Sequence, residues 1–387
     1  MFHPFAIKSD ADAGYSGERA RNVFVRQTQQ GISPAVLVGR AGTERLIDLG
    51  VPVQALTAVN EDVLAVCDGQ LRDVATGDIL ATFGVDAETR VATSGPAAMI
   101  VENGIAHVWD GAKWHADVDK GAIDYATDVE YFGGYFVLVG EGMGRRDIIQ
   151  VSALSGWTFD ALDFASAEVS SDRLLAVVAD HNELVFFGDY TIEVWYQSGD
   201  PAFPFARDRI VERGIGMSRA LAKEDNAIFF EANNGKIMAH RGAEPEIIST
   251  AIVEENPEPV TSIFVVEDRG STIVCVRRAS GPTDCYDLRT RIWHERTTGL
   301  SDDPWYVTCA GLWKEDWYYG TSTGLIVRPG GYEEDGQPIL AEAISPPLVR
   351  RGGLFNPGPG RVAVSGGQVD IGRQPQAVFQ VSRDGRT

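Results

Sequence analysis

The sequence predicts an all-β protein, a β-propeller of six or seven blades. Three observations predict it: helical periodicity is scarce, short strand-like runs are frequent, and those runs recur at the spacing of a blade. No stretch longer than about ten residues carries apolar residues at i, i+3, i+4 and i+7 between caps. Instead DVLAVCDGQLRDV, AMIVENGIAHVWDG, EYFGGYFVLVG, NAIFFEANNGKIMAHRG, SIFVVEDRGSTIVCVRR and WYYGTSTGLIVRP join β-branched and aromatic residues to turn signals such as NG, DG, NNG and DRGS. Strands opening near Leu56, Val91, Val129, Leu174, Ala220, Val260 and Val307 are spaced by about 35–47 residues. Blades of this kind are apolar on both faces and bury them against their neighbours around a ring, so 300 residues of strand need not split into domains. Two stacked β-sandwiches are the alternative.

Taken in order, residues 1–35 read as a polar N-terminal arm ending in SGERARNVFVRQTQQG. AVLVGR reads as the first strand, and residues 36–335 as the propeller. Residues 336–387 form a Gly-, Pro- and Arg-rich appendage, in which VAVSGGQVDIG reads as a hairpin. A chain end cut short within this appendage fits the pattern as well as a complete one.

Charge divides the chain. Of 387 residues, 44% are hydrophobic, enough for a substantial core, and the net charge is −21. Residues 340–387 nevertheless hold six arginines and three acids, net +3, which leaves −24 on the rest. Such a body does not bind nucleic acid through a general basic surface. Solubility explains the acidic excess without further assumption. The sharper reading is a surface that must not hold DNA, with a tail suited to an acidic partner.

The four cysteines, 67, 275, 285 and 309, form no CxxC pair, so no zinc site is expected. Cys275 and Cys285 flank the turn ASGPTD and could face each other across a hairpin. The N-terminus shows no signal-peptide pattern, and no run of eighteen apolar residues exists to span a membrane. Synthesis and folding in a cytoplasm are expected.

The search for chemistry yields no metal, cofactor or nucleophile signature. None of the six histidines forms HExxH. His107 and His115 flank a turn and read as surface hairpin histidines. GIGMSRA lacks the spacing of a nucleophile elbow, and GEGMGRRD is followed by no helix that could cradle a phosphate. Asp124, Asp128 and Glu130 lie close in sequence, as do Glu254 and Glu255. Glycoside hydrolysis needs two carboxylates in one pocket, and this pairing keeps a propeller glycosidase or depolymerase as the enzymatic alternative. The aromatic cluster WYVTCAGLWKEDWYYG reads as blade core, or as a sugar-binding surface.

One block goes beyond pattern. LVFFGDYTIEVWYQSGDPAFPF is a tight hairpin followed by a proline-stiffened loop with two phenylalanines. Two exposed phenylalanines are costly, and proline lowers the entropy lost when such a loop docks. Residues 200–206 are therefore expected to pack on the next blade or on a neighbouring subunit. Residues 183–250 resemble the packaged-DNA stabilisation proteins of short-tailed bacteriophages, also called tail accessory or tail hub proteins. The matching residues are Trp195 in the strand IEVW, Pro201, Phe203, Pro204 and Phe205 of the loop, Gly214, and Ser249 and Thr250 of the stop IIST. ERARNVFVRQ, with Asn22, is similar to that family's opening, and FQVSRDGRT to its late strand.

The resemblance implies a structural virion protein and no enzyme. It implies a ring, expected to be a hexamer, at the phage neck below the portal and its adaptor ring. Such a ring holds the tail needle, fibres or tailspikes and keeps packaged DNA from leaking, while DNA passes its channel without specific binding. The arginine-rich end, with Arg350, Arg351, Arg361 and Arg373, is then expected to meet an acidic partner. A sugar-binding tail module is the remaining alternative.

Overall fold

A computed structural model describes residues 19–27, 35–85, 89–167, 172–217, 220–224, 226–344 and 378. Its strands form seven small sheets around an axis. From the axis outward, blade 1 holds Val53–Val59, Asp62–Cys67, Gln70–Asp73 and Ile79–Thr82. Blade 2 holds Arg90–Thr93, Ala98–Glu102, Ile105–Trp109 and Trp114–His115. In blade 3 the order is Tyr125–Phe132, Tyr135–Gly142, Arg145–Ser152, Phe159–Ser166; in blade 4 it is Leu174–Asp180, Glu183–Gly188, Ile192–Gln197, Phe205–Val211. Blade 5 runs Leu221–Glu224, Ala227–Glu231, Ile237–His240, Glu246–Ile247, and blade 6 runs Val260–Asp268, Ser271–Arg278, Thr283–Asp287, Ile292–Arg296. Val307–Trp313, Asp316–Thr321 and Leu325–Pro329 begin blade 7. The only described helix is the single turn Ala251–Glu254.

The fourth strand of blade 7 comes from the other end of the chain. Thr43–Asp48 pairs antiparallel with Leu325–Pro329, Leu325 opposite Asp48. This closes the ring by hydrogen bonds between sequence-distant strands. Two more pieces thicken blade 6: Arg19–Arg21 runs parallel to Ile292–Arg296, and Glu342–Ile344 pairs antiparallel with Arg19–Arg21. Part of the stretch read as an irregular arm is thus strand. AVLVGR does not open the propeller either: Ala35–Gly39 pairs with Val23–Gln27 in a two-stranded sheet of its own. A strand completed by a partner some 280 residues away leaves no local mark of which sheet it will join.

The core lies between blades. Among the described residues, buried apolar side chains gather into one cluster per seam. Val66, Leu71 and Ile100 fill the seam of blades 1 and 2; Val101, Phe136 and Leu138 that of 2 and 3; Val139, Phe186 and Trp195 that of 3 and 4. Phe187 and Phe230, then Phe229 and Trp293, then Trp305 and Tyr319 continue around to blade 7. Val53, Cys67 and Ile326 complete the circle. This is why the strands read as near-continuous apolar runs and not as alternating ones: both faces of each sheet are covered.

The turns follow from residues that accept positive φ. Asn103 and Gly104 have φ of 44° and 80°, the pair that a two-residue hairpin with the twist of its strands requires. Near the axis, side-chain hydroxyls tie several inner strands to a neighbour's backbone. Thr308 Oγ1 donates to Val53 O (2.7 Å), Thr93 Oγ1 to Ala58 O (2.8 Å) and Thr127 Oγ1 to Leu174 O (2.9 Å).

Candidate functional site

Three places gather polar or motif residues: the corner around Trp195, the axial cavity, and the knot that closes the ring.

At the corner, Trp195 sits on the third strand of blade 4 and is nearly buried. Its indole Nε1 donates to Glu193 Oε2 at 2.9 Å, and Arg207 Nη1 donates to Glu193 Oε1 at 3.4 Å. Glu193 is 2% exposed, so both of its oxygens answer a donor, as a buried carboxylate must. Phe203 meets Trp195 edge-on (centroids 6.3 Å) and Phe205 edge-on (6.2 Å). Phe205, buried, reaches across the seam to Phe132 and Tyr135 of blade 3 at 5.9 and 5.8 Å. Loop bonds hold this arrangement: Ser198 N and Gly199 N donate to Pro204 O, and Ala202 N to Asp200 Oδ1. Phe203 and Pro204 are half-buried and Pro201 is exposed. Beside them lies an open groove of about 380 Å³, lined by Phe164, Ala165, Ser166, Trp195 and Arg207.

The other motif residues do not join this corner. The strand Phe205–Val211 starts at the loop and carries the chain to the opposite end of the blade, so Gly214 lies about 20 Å or more away. A Cβ on Gly214 would stand 1.9 Å from Asp189 O, so the crossover from blade 4 to blade 5 has room for glycine alone. Ser249 and Thr250 lie in the next crossover. Ser249 Oγ accepts from Ile237 N (3.2 Å) and donates to Glu254 Oε1 (2.7 Å). Arg350, Arg351, Arg361 and Arg373 lie outside the described residues.

The axial cavity, about 230 Å³, is lined by inner-strand residues of five blades, including Gln54, Arg90, Asp128, Glu130, Val177 and Leu221. Asp128 and Glu130 alternate onto one side of their strand. Asp128 Oδ2 accepts from Val177 N at 3.0 Å and Glu130 Oε2 from Ala179 N at 3.1 Å. Their other oxygens accept from Val129 N and Tyr131 N. Burial pushes the Glu130 carboxyl up to about 7 and raises that of Asp128 as well, against the pull of Arg90. The two carboxylates thus satisfy the open edge of blade 4's inner strand. Their sequence signal was an acidic alternation where an inner strand should be apolar. Asp124 is exposed and stands apart from them.

The closing knot was not foreseen beyond Asn22. Asn22 adopts φ 55°; its Nδ2 donates to Thr297 Oγ1 and Leu340 O, and its Oδ1 accepts from Arg40 Nε and Thr297 N. Arg40, fully buried, pairs with Glu334 at 2.6 Å and stacks over Trp305 at 5.3 Å. Arg296 covers the same indole at 4.9 Å and pairs with Asp268 at 2.8 Å. Trp305 Nε1 donates to Glu334 Oε1 at 2.9 Å. The aromatic stretch 305–319 therefore supplies core at Trp305 and Tyr319, with Trp313, Trp317 and Tyr318 half-buried.

His107 departs from the surface reading. It is buried, stacked on Trp114 at 5.0 Å. Its Nδ1 accepts from Asp117 N, which leaves the Nε2 proton for Glu102 Oε1 at 3.3 Å.

Among the described residues, seven sheets stand around one axis, five of four strands and two of six, and the ring is closed by a strand from the far end of the chain; this defines a β-propeller. Residues 5–261 match the phage stabilisation family, described as bacteriophage P22 Gp10, beta-propeller. That span is well over half of the chain, and the chain belongs to this family of phage structural proteins. No curated protein matches the sequence. Among solved structures, the computationally designed Ika8 protein is 18% identical, with TM-score 0.47, covering 81% of this chain and 100% of that one. BamB from Moraxella catarrhalis is 10% identical, with TM-score 0.45, covering 74% and 96%. The WD40 propeller domain of Doa1 is 12% identical, with TM-score 0.47, covering 75% and 96%. None of these likenesses carries an argument about function.

Proposed function

We propose that the protein is a structural subunit of a phage neck or tail. In this reading copies form a hub ring, a hexamer, below the portal and its adaptor. The ring retains packaged DNA and anchors the tail needle, fibres or tailspikes. The match of residues 5–261 to the phage stabilisation family carries the reading. Charge supports it: a body of net −24 repels phosphate, so DNA can thread a channel lined by such subunits without adhering. The arginines of the C-terminal segment supply the opposite charge, suited to carboxylates on an adaptor or needle. The Pro-Phe loop adds a stiff, partly exposed apolar edge at Pro201 and Phe203 for a neighbouring subunit.

A reconstruction of the virion tail from the phage that encodes this chain tests the reading. A ring of this chain on the tail axis under the adaptor is the expected result. Density only on peripheral fibres, or no copy in the particle, overturns it and makes polysaccharide turnover the next assay.

A further inference from the structure

Blade 6 holds two thiols that the family reading leaves without a role. Cys275 lies in Ser271–Arg278 and Cys285 in Thr283–Asp287, and the ladder register sets them directly opposite each other. Opposed residues in an antiparallel pair have Cα atoms about 4.5 or 5.5 Å apart. Both spacings fall inside the span of about 4.4–6.8 Å that a disulfide bridges. The side chains project to the same face, with Sγ atoms 3.6 Å apart. Neither residue is exposed. The strands they join belong to the sheet that also receives Arg19–Arg21 and Glu342–Ile344 from the two ends of the chain.

We propose that Cys275 and Cys285 are an oxidation site that closes to a cross-strand disulfide when the chain folds in, or opens in, a thiol-oxidising medium. The oxidant is a small disulfide such as oxidised glutathione. One cysteine thiolate attacks it, forming a mixed disulfide and expelling one thiolate, which takes up a proton. The second cysteine, deprotonated in turn, attacks the mixed disulfide at its partner's sulfur and expels the other. Two cysteine thiols are oxidised and one disulfide is reduced to two thiols. Burial governs the timing, because the attacking species is the thiolate. Burial pushes the Cys285 thiol well above its ordinary range, so the closed blade exchanges slowly and the bond forms during folding or on opening of the hairpin. The competing account is that both are small apolar fillers. The inference rests on blade 6 alone and not on the place of the chain in a particle.

Refolding the reduced full chain in mixed reduced and oxidised glutathione tests it, with alkylation in denaturant followed by intact-mass and non-reducing peptide analysis. Two of the four cysteines are expected to resist alkylation, with a peptide carrying Cys275 joined to one carrying Cys285. Reductant should restore four reactive thiols. Cys67 and Cys309, which share the seam of blades 7 and 1, are the internal competitor; in C67A/C309A the bond should persist, and in C285A no disulfide should form. Four reactive thiols in the refolded wild type, or a Cys67–Cys309 link in its place, overturns the proposal. Should refolding fail, natively purified protein held in the same buffer with sub-denaturing urea gives the same readouts, and the same results overturn it.

Discussion

Replacing Arg40 by methionine tests whether the ring is held shut by its buried knot. The Arg40 guanidinium, with no exposed surface, donates to Glu334 Oε1 (2.6 Å), Asn22 Oδ1 (2.9 Å), Thr297 O (3.1 Å) and Ala41 O (3.1 Å). Methionine keeps an apolar stem but removes every donor and the guanidinium that lies over Trp305. Glu334 then keeps two donors, Trp305 Nε1 and Gly299 N, for a charge that is 3% exposed. Breaking one partner of a buried ion pair costs about 3–5 kcal/mol, because the other charge stays behind unpaired. With a urea m-value of about 3 kcal/mol/M or more for a chain this long, the midpoint should fall by roughly 1 M. The double variant R40M/E334Q removes the orphaned charge while keeping an acceptor for Trp305 Nε1, and should recover part of that loss. Hydrogen exchange should locate the damage in Thr43–Asp48 and Leu325–Pro329, the strands that close blade 7. A midpoint within about 0.2 M of wild type, or a double variant no better than the single one, refutes the knot as the clasp.

Four further outcomes are expected. In E130Q stability relative to wild type should rise with pH, from a baseline lowered because the amide offers one acceptor where both carboxylate oxygens take a backbone N–H. The native carboxyl sits near 7 against an ordinary 4.5, so the native state binds the extra proton between those values, and wild-type stability falls as pH rises through them. Because Glu130 is only half-buried on the cavity wall, the full shift is discounted to roughly 1–2 kcal/mol at pH 8 and little at pH 4.5; equal melting shifts at both pH values would count against it. Gly214→Ala should cost about 3 kcal/mol or more, since its Cβ meets the backbone at Asp189, and near-wild-type urea unfolding would disprove the close approach. Phe203→Asp should stay folded yet fail to assemble rings; a soluble variant that still assembles, as read by analytical ultracentrifugation, sinks the interface role of the loop. Neutralising Arg350 and Arg351 to glutamine should weaken attachment to adaptor or needle in a pull-down, and unchanged attachment would remove the tail from the contact.

The propeller was legible because its signals are local. Each inner strand opens where an apolar run follows a turn, and Leu56, Val91, Val129, Leu174, Val260 and Val307 all fall in innermost strands, with Ala220 one residue before its own. The stiff loop after Trp195 was legible for the same reason, and so was the apolar character of Phe203 and Phe205. Sequence did not show what those rings would touch. Phe205 answers Phe132 and Tyr135, some seventy residues earlier, and no periodicity records that distance. Polar groups were harder still. Asp128 and Glu130 stood out in sequence only as neighbouring carboxylates, and each spends its oxygens on backbone N–H groups, two of them on the neighbouring blade. Arg40 and Glu334, 294 residues apart, carry no mark of each other until the ring closes.

That last pair explains why the strand that closes the ring carries no mark of the sheet it joins. A propeller must satisfy the open edge left where its first and last blades meet. Here the edge is covered by Thr43–Asp48, and the covering strand is fixed by Asn22 and Arg40 on one side and Glu334 on the other. Residues that look like polar linker by composition are polar because the clasp needs buried donors and acceptors in matched numbers. The same polarity that hides them from a hydrophobic pattern is what makes the closure specific to these two ends.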